Sequence, residues 1–141
     1  MANKITLKQF VAAQKEAAAA GAIIPGYLVE LKADGELQAH STAAGDINGL
    51  YVAKAEDYIG NTIDEEYSAG DQVRYEVGHN GEEYNMLLAA GESVTKEDLL
   101  ESAGDGTLQA DTGSAARLKA VEVVDNSGGS EPTRIKVEVI K

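Results

Sequence analysis

The sequence predicts a mainly β protein: a compact antiparallel β sandwich or small barrel of hairpins, with an N-terminal arm or short helix. Three observations lead there. Apolar residues recur at every second position in several short stretches, glycine-bearing turns separate those stretches, and an Ala-Gly-acid element marks four corners. These corners are Ala44-Gly45-Asp46, Ala69-Gly70-Asp71, Ala90-Gly91-Glu92 and Ala103-Gly104-Asp105. Their spacing is unequal, so they read as turns of one compact domain and not as a solenoid repeat. A chain of 141 residues is long enough to bury roughly two thirds of the surface it exposes when unfolded.

In chain order, residues 1–25 form an arm, helix-prone or extended, and residues 26–141 form the β domain. Thr6 and Gln9 fit a capping box at the start of a helix over Ile5 to Ala20, Leu7, Phe10 and Val11 make a short apolar stripe, and Gly21 ends it. Pro25-Gly26 marks the boundary. A first hairpin runs from Tyr27, Val29 and Leu31 through Asp34-Gly35 to Leu37 and Ala39. Leu50-Tyr51-Val52-Ala53 reads as a short buried strand, and Glu56-Asp57-Tyr58-Ile59 as one helical turn. A second hairpin is expected where Val73, Tyr75 and Val77 precede Asn80-Gly81, with Tyr84, Met86 and Leu88 after it, because Asn-Gly tolerates the positive φ values of a tight turn. A third joins the stretch Asp98 to Ser102 to Gln109. A fourth joins Ala116, Leu118 and Ala120 to Ile135, Val137 and Val139 across the loop from Asp125 to Pro132.

Composition narrows the function classes. There are no cysteines, which removes disulfides and thiolate metal sites. With 24 acidic against 12 basic residues the formal charge is −12, the wrong sign for neutralising phosphates or an anionic membrane surface. Direct nucleic-acid binding and membrane association are therefore not expected. The run after Met1-Ala2-Asn3-Lys4 is amphipathic and unlike a secretory leader, and the apolar runs are too short to span a bilayer.

Site chemistry is sparse. Neither a Gly-x-Ser-x-Gly elbow nor a phosphate-binding Gly-x-x-x-x-Gly-Lys loop occurs, and Gly104-Asp105-Gly106 lacks the third glycine and helix of a dinucleotide fingerprint. His40 and His79 stand beside turns with no partner at ligand spacing and read as surface histidines; Glu82-Glu83 and Asp64-Glu65-Glu66 lack the alternating ligands of a calcium loop. No catalytic residue, metal or cofactor is expected, and the chain reads as a non-enzyme.

Taken together, Gly45-Asp46-Ile47-Asn48-Gly49-Leu50-Tyr51-Val52-Ala53, Tyr58-Ile59-Gly60, Tyr67-Ser68-Ala69-Gly70-Asp71, Met86-Leu87-Leu88-Ala89-Ala90-Gly91 and Leu99 to Leu108 resemble the head decoration, or cement, proteins of tailed bacteriophages. The resemblance implies a virion structural protein, made in the host bacterial cytoplasm, that binds the outer surface of an icosahedral head and stabilises the mature capsid. Its partners would be the major capsid protein and further copies of itself, as a trimer sooner than a dimer. Leu7, Phe10, Val11, Ile23, Ile24, Pro25 and Tyr27 are the candidate capsid or subunit contacts, because they are the apolar and stiff residues of the arm and its exit. The alternative is a host-surface or carbohydrate-binding module displayed on the particle, for which Tyr58, Tyr67 and Tyr84 would supply exposed rings.

Overall fold

The computed structural model describes residues 4–9, 13–56, 60–113 and 115–140. Its strands in chain order are β1 (Thr6–Lys8), β2 (Gln14–Ala18), β3 (Leu28–Leu31), β4 (Leu37–Ala39), β5 (Tyr51–Ala53), β6 (Gln72–Val77), β7 (Glu83–Leu88), β8 (Ser93–Val94), β9 (Leu99–Ser102), β10 (Leu108–Ala110), β11 (Leu118–Ala120), β12 (Val124–Asp125) and β13 (Thr133–Val139). The mainly β expectation holds, and no helix occurs among the described residues.

The larger sheet closes on itself. β13 lies antiparallel to β7 from Thr133 opposite Leu88 to Glu138 opposite Glu83, and β11, β9 and β10 follow in antiparallel succession. β10 then returns to β7 through a parallel contact of Leu108 with Leu88. The circuit is a five-stranded barrel, with β1 added to β7 beside Tyr84 and Glu83. Closure leaves few unpaired backbone groups at a sheet edge. Tyr84, Met86, Leu88, Leu100, Leu108, Leu118, Ile135, Val137 and Val139 fill its interior and are fully buried. Every second residue of β7 and β13 points inward, as the period of a strand dictates.

The smaller sheet has the order β2-β6-β5-β3-β4, antiparallel throughout. A single parallel bridge between Ala19 and Leu37 joins its two ends, tightened by the Ala20 N–H donating to the Leu37 carbonyl at 2.8 Å. Ile23, Val29, Leu37, Tyr67, Val73 and Tyr75 form a separate small core, where the rings of Tyr51 and Tyr75 meet at 5.2 Å.

β3 and β5 are a common wall. Leu28 and Val52 face the large core while their neighbours Val29 and Ala53 face the small one. A strand buried on both sides needs apolar residues at successive positions, which is why Leu28-Val29 and Leu50-Tyr51-Val52-Ala53 are unbroken apolar runs.

Two expectations are corrected. The helix expected over Ile5 to Ala20 gives way, in its described residues, to the extended alternative: β1 and β2 are strands, and all five residues of β2 pair with β6. Alanine-rich sequence favours helix only weakly, and here Ala17 and Ala19 are small enough to lie against the small core. The second correction concerns the hairpin at Asn80-Gly81. The turn forms, with Glu82 N–H donating to the His79 carbonyl at 3.0 Å and Gly81 at φ 92°. β6 and β7 nevertheless do not pair, because β6 belongs to the small sheet and β7 to the barrel. Gly78 N–H is taken by Leu50 O at 2.8 Å and Gly81 N–H by Val139 O at 2.7 Å, so distant strands claim the backbone on either side of the turn. A Cβ on Gly78 would come within 2.5 Å of the Leu50 side chain, so glycine lets the chain cross between the two sheets. The hairpins β3–β4 and β9–β10 and the pairing of β11 with β13 are as expected. The helical turn expected at Glu56 to Ile59 rests on residues 57–59, which lie outside the described residues.

Candidate functional site

The N-terminal segment carries the polar centre of the molecule. Glu76, on β6, is 1% exposed. Its carboxylate accepts from Thr6 Oγ1 at 2.8 Å and Gln9 Nε2 at 2.6 Å and pairs with Lys54 Nζ at 2.8 Å. A buried charge is tolerated only when paired and hydrogen-bonded, so Glu76 fastens residues 6–9 to both sheets. Alternation alone placed Glu76 on the outer face of its strand. The cover that buries it comes from residues far away in sequence, and no local signal reports that.

Above this cluster a cleft of about 410 Å³ is lined by Lys4 to Leu7, Gln9, Lys54, Ala55 and Asn61 to Ile63. Of the contact candidates, Leu7 is half-buried in its wall. Ile23 is fully buried in the small core, bridged to Tyr67. Pro25 is buried, and its carbonyl accepts from Arg134 Nη1 at 2.7 Å. Ile24 is half-buried. Tyr27 is half-buried too and covers Gly106, where a Cβ would stand 2.5 Å from the ring. Burial, with Asp105 and Glu66 nearby, raises the Tyr27 phenol pKa. Phe10 and Val11 lie outside the described residues. The structure thus does not gather the candidates into one exposed strip.

A second cleft of about 250 Å³ is lined by Glu30, Leu31, His40, Asp46, Asn48, Gly49 and Tyr51. His40 is 3% exposed, in contrast to the surface position expected. Its Nδ1 lies 2.7 Å from Ser102 Oγ of the barrel and its Nε2 3.2 Å from the Asp46 carbonyl, so it joins the two sheets. Burial works to raise the Glu30 pKa, but hydrogen bonds from Ser41 and Gln38 outweigh it and hold the carboxyl below its ordinary value. In the barrel, Glu101 is fully buried. Desolvation works against its charge, and donors on Gln109 and Thr112 overcome that to lower its pKa. His79 and Glu82 are a local pair, with the His79 N–H donating to Glu82 Oε1 at 2.8 Å.

Among the described residues no group of three or more His, Cys, Asp or Glu is placed to hold a metal ion. Asp64 sits 3.4 Å from Arg134 and Glu65 accepts from the Thr62 N–H. Of the tyrosines proposed for glycan binding, Tyr67 is 4% exposed and Tyr84 fully buried, with its hydroxyl donating to Glu82; Tyr58 lies outside the described residues.

No family model matches the chain, and no curated protein matches it. Among solved structures, the head fiber gp8.5 N base of bacteriophage phi29 has the same fold. The two agree with a TM-score of 0.61 over 92% of this chain and 94% of that one, at 14% sequence identity. The small β fold expected from the sequence is therefore one that a solved structure also has.

Proposed function

We propose that this chain is a structural protein of a phage virion, and within that class a decoration protein that binds the outside of the head and stabilises the mature capsid. The observation that carries the reading is the agreement of fold with the phi29 head fiber base along nearly the whole of both chains. The strongly acidic balance of 24 to 12 supports it as the complement of a basic shell surface and as a source of solubility at high copy number. Association as a homo-oligomer, a trimer in our reading, would turn a modest contact per copy into firm attachment on a repeated lattice.

The contacts are assigned to the half-buried Leu7, Ile24 and Tyr27 together with Phe10 and Val11; Ile23 and Pro25 serve the chain's own interior. Because residues 14–18 supply a strand, the assignment is tested by point variants and not by removing the segment. Electron microscopy of particles made with and without the protein is the deciding experiment. Added density on the exterior, and heads that release DNA at lower temperature when the protein is missing, are expected. Particles that never contain the protein would end this reading. The burial of Tyr67 and Tyr84 takes two of the three motivating rings from the carbohydrate-binding alternative; Tyr58 lies outside the described residues.

A further inference from the structure

The chain contains two Asn-Gly steps, Asn48-Gly49 and Asn80-Gly81, and the fold treats them oppositely. Asn-Gly is the step most prone to spontaneous rearrangement, because glycine offers no side chain to hinder attack of its own nitrogen on the preceding carboxamide. Both asparagines are exposed, so solvent reaches both carboxamides. The difference lies in the attacking nitrogen. Gly81 N–H is fixed in a 2.7 Å hydrogen bond to the Val139 carbonyl, at the crossing between the sheets. Gly49 N–H has no acceptor among the described residues, and Asn48 and Gly49 stand at the rim of the 250 Å³ cleft with Glu30, Asp46 and Tyr51.

We propose that Asn48 is a site of spontaneous succinimide formation and isoaspartate conversion in the folded protein, and that Asn80 is protected. The Gly49 nitrogen, its proton lost to hydroxide, attacks Asn48 Cγ. The new C–N bond replaces the bond to the carboxamide nitrogen, which leaves as ammonia, taking its third proton from water. One water then opens the ring at either carbonyl, giving aspartate or isoaspartate. The same closure at Asn80 must first break the bond from Gly81 to Val139, which slows it by about fivefold or more, the factor one net hydrogen bond is worth. The product matters because isoaspartate lengthens the main chain by one carbon just before β5, half of the common wall, and sets a new carboxylate beside Glu30 and Asp46.

The test is to incubate the purified full-length protein at mildly alkaline pH and to follow each peptide by mass spectrometry and isoaspartate methyl-labelling. Modification of Asn48 at least about fivefold faster than Asn80 is expected, with the two rates converging in urea, where the Val139 bond is gone. Asn48→Gln should abolish the labelling of that peptide, leaving the slower reaction at Asn80, without changing the fold. Gly49→Ala is unsuitable, since its Cβ would fall 2.6 Å from the Tyr51 ring. Equal rates in the folded protein, faster loss at Asn80, or an Asn48 that stays intact while the unfolded chain reacts would overturn the proposal.

Discussion

The two sheets solve the same problem with different means. The barrel built on β7 and β13 closes through the parallel contact of Leu108 with Leu88 and is filled by large aliphatic residues and Tyr84. The sheet built on β6 closes likewise at one parallel bridge, between Ala19 and Leu37, but over a smaller core made mostly of alanine, valine and tyrosine. What the small sheet lacks in apolar filling it replaces with polar fastening, through Glu76 and its partners from two other stretches of chain, residues 6–9 and Lys54. With the same kind of closure, the size of the core makes the difference: a barrel with a deep interior can rely on burial, whereas a shallow one needs directional bonds.

The sharpest way to break this comparison is to remove Lys54. In Lys54→Met the Glu76 charge stays buried with neutral donors only, and a loss of about 3–5 kcal/mol is expected by chemical denaturation. A loss below about 1 kcal/mol would mean that the fastening is dispensable. Next come matched truncations in the two interiors. Leu118→Ala should cost about 4 kcal/mol because the many large side chains around it hold the void open, and Leu37→Ala about 2 kcal/mol because the smaller, shallower core can settle into it. A reversal of that order would show that the size of the core does not set rigidity.

A smaller effect separates the two held carboxyls by pH. Glu101 and Glu30 both have pKa values lowered in the folded state from an ordinary 4.5. Each therefore contributes stability that is present above 4.5 and is lost as the pH falls below it through the lower folded value. Melting temperature should be flat above that pH and drop below it. Glu101→Gln should flatten the drop more than Glu30→Gln, since Glu101 is fully buried and Glu30 is not. Smallest is Gly35→Ala at the β3–β4 tip. No atom lies near its Cβ position, but φ is +88°, and a cost of about 1 kcal/mol is expected from the left-handed backbone alone.

Much of the turn and strand pattern was legible in the sequence. Asp34-Gly35 and the glycines at 104 and 106 sit at real turns with positive φ, and the alternation of Ile135, Val137 and Val139 names the buried face of β13. These are local signals, carried by residues a few positions apart. What was not legible is partner choice. The turn at Asn80-Gly81 has hairpin chemistry, but Val73 and Tyr75 fit the small core while Tyr84 and Met86 fit the large one, so the strands part company. The alanines after Glu16 carry helical propensity, which gives way to pairing with β6 along its length. At the candidate site, the burial of Glu76, Ile23 and His40 depends on segments such as Thr6, Tyr67 and Ser102, 44 to 70 positions away, a span over which loop closure, and not local preference, decides what meets.

The wall of β3 and β5 also dictates how the molecule comes apart. With Leu28 and Val52 committed to one interior and Val29 and Ala53 to the other, solvent cannot enter either compartment without wetting the back of the strands that seal its neighbour. Melting is thus a single event, with calorimetric and van't Hoff enthalpies in agreement, and under tension the two halves give way together.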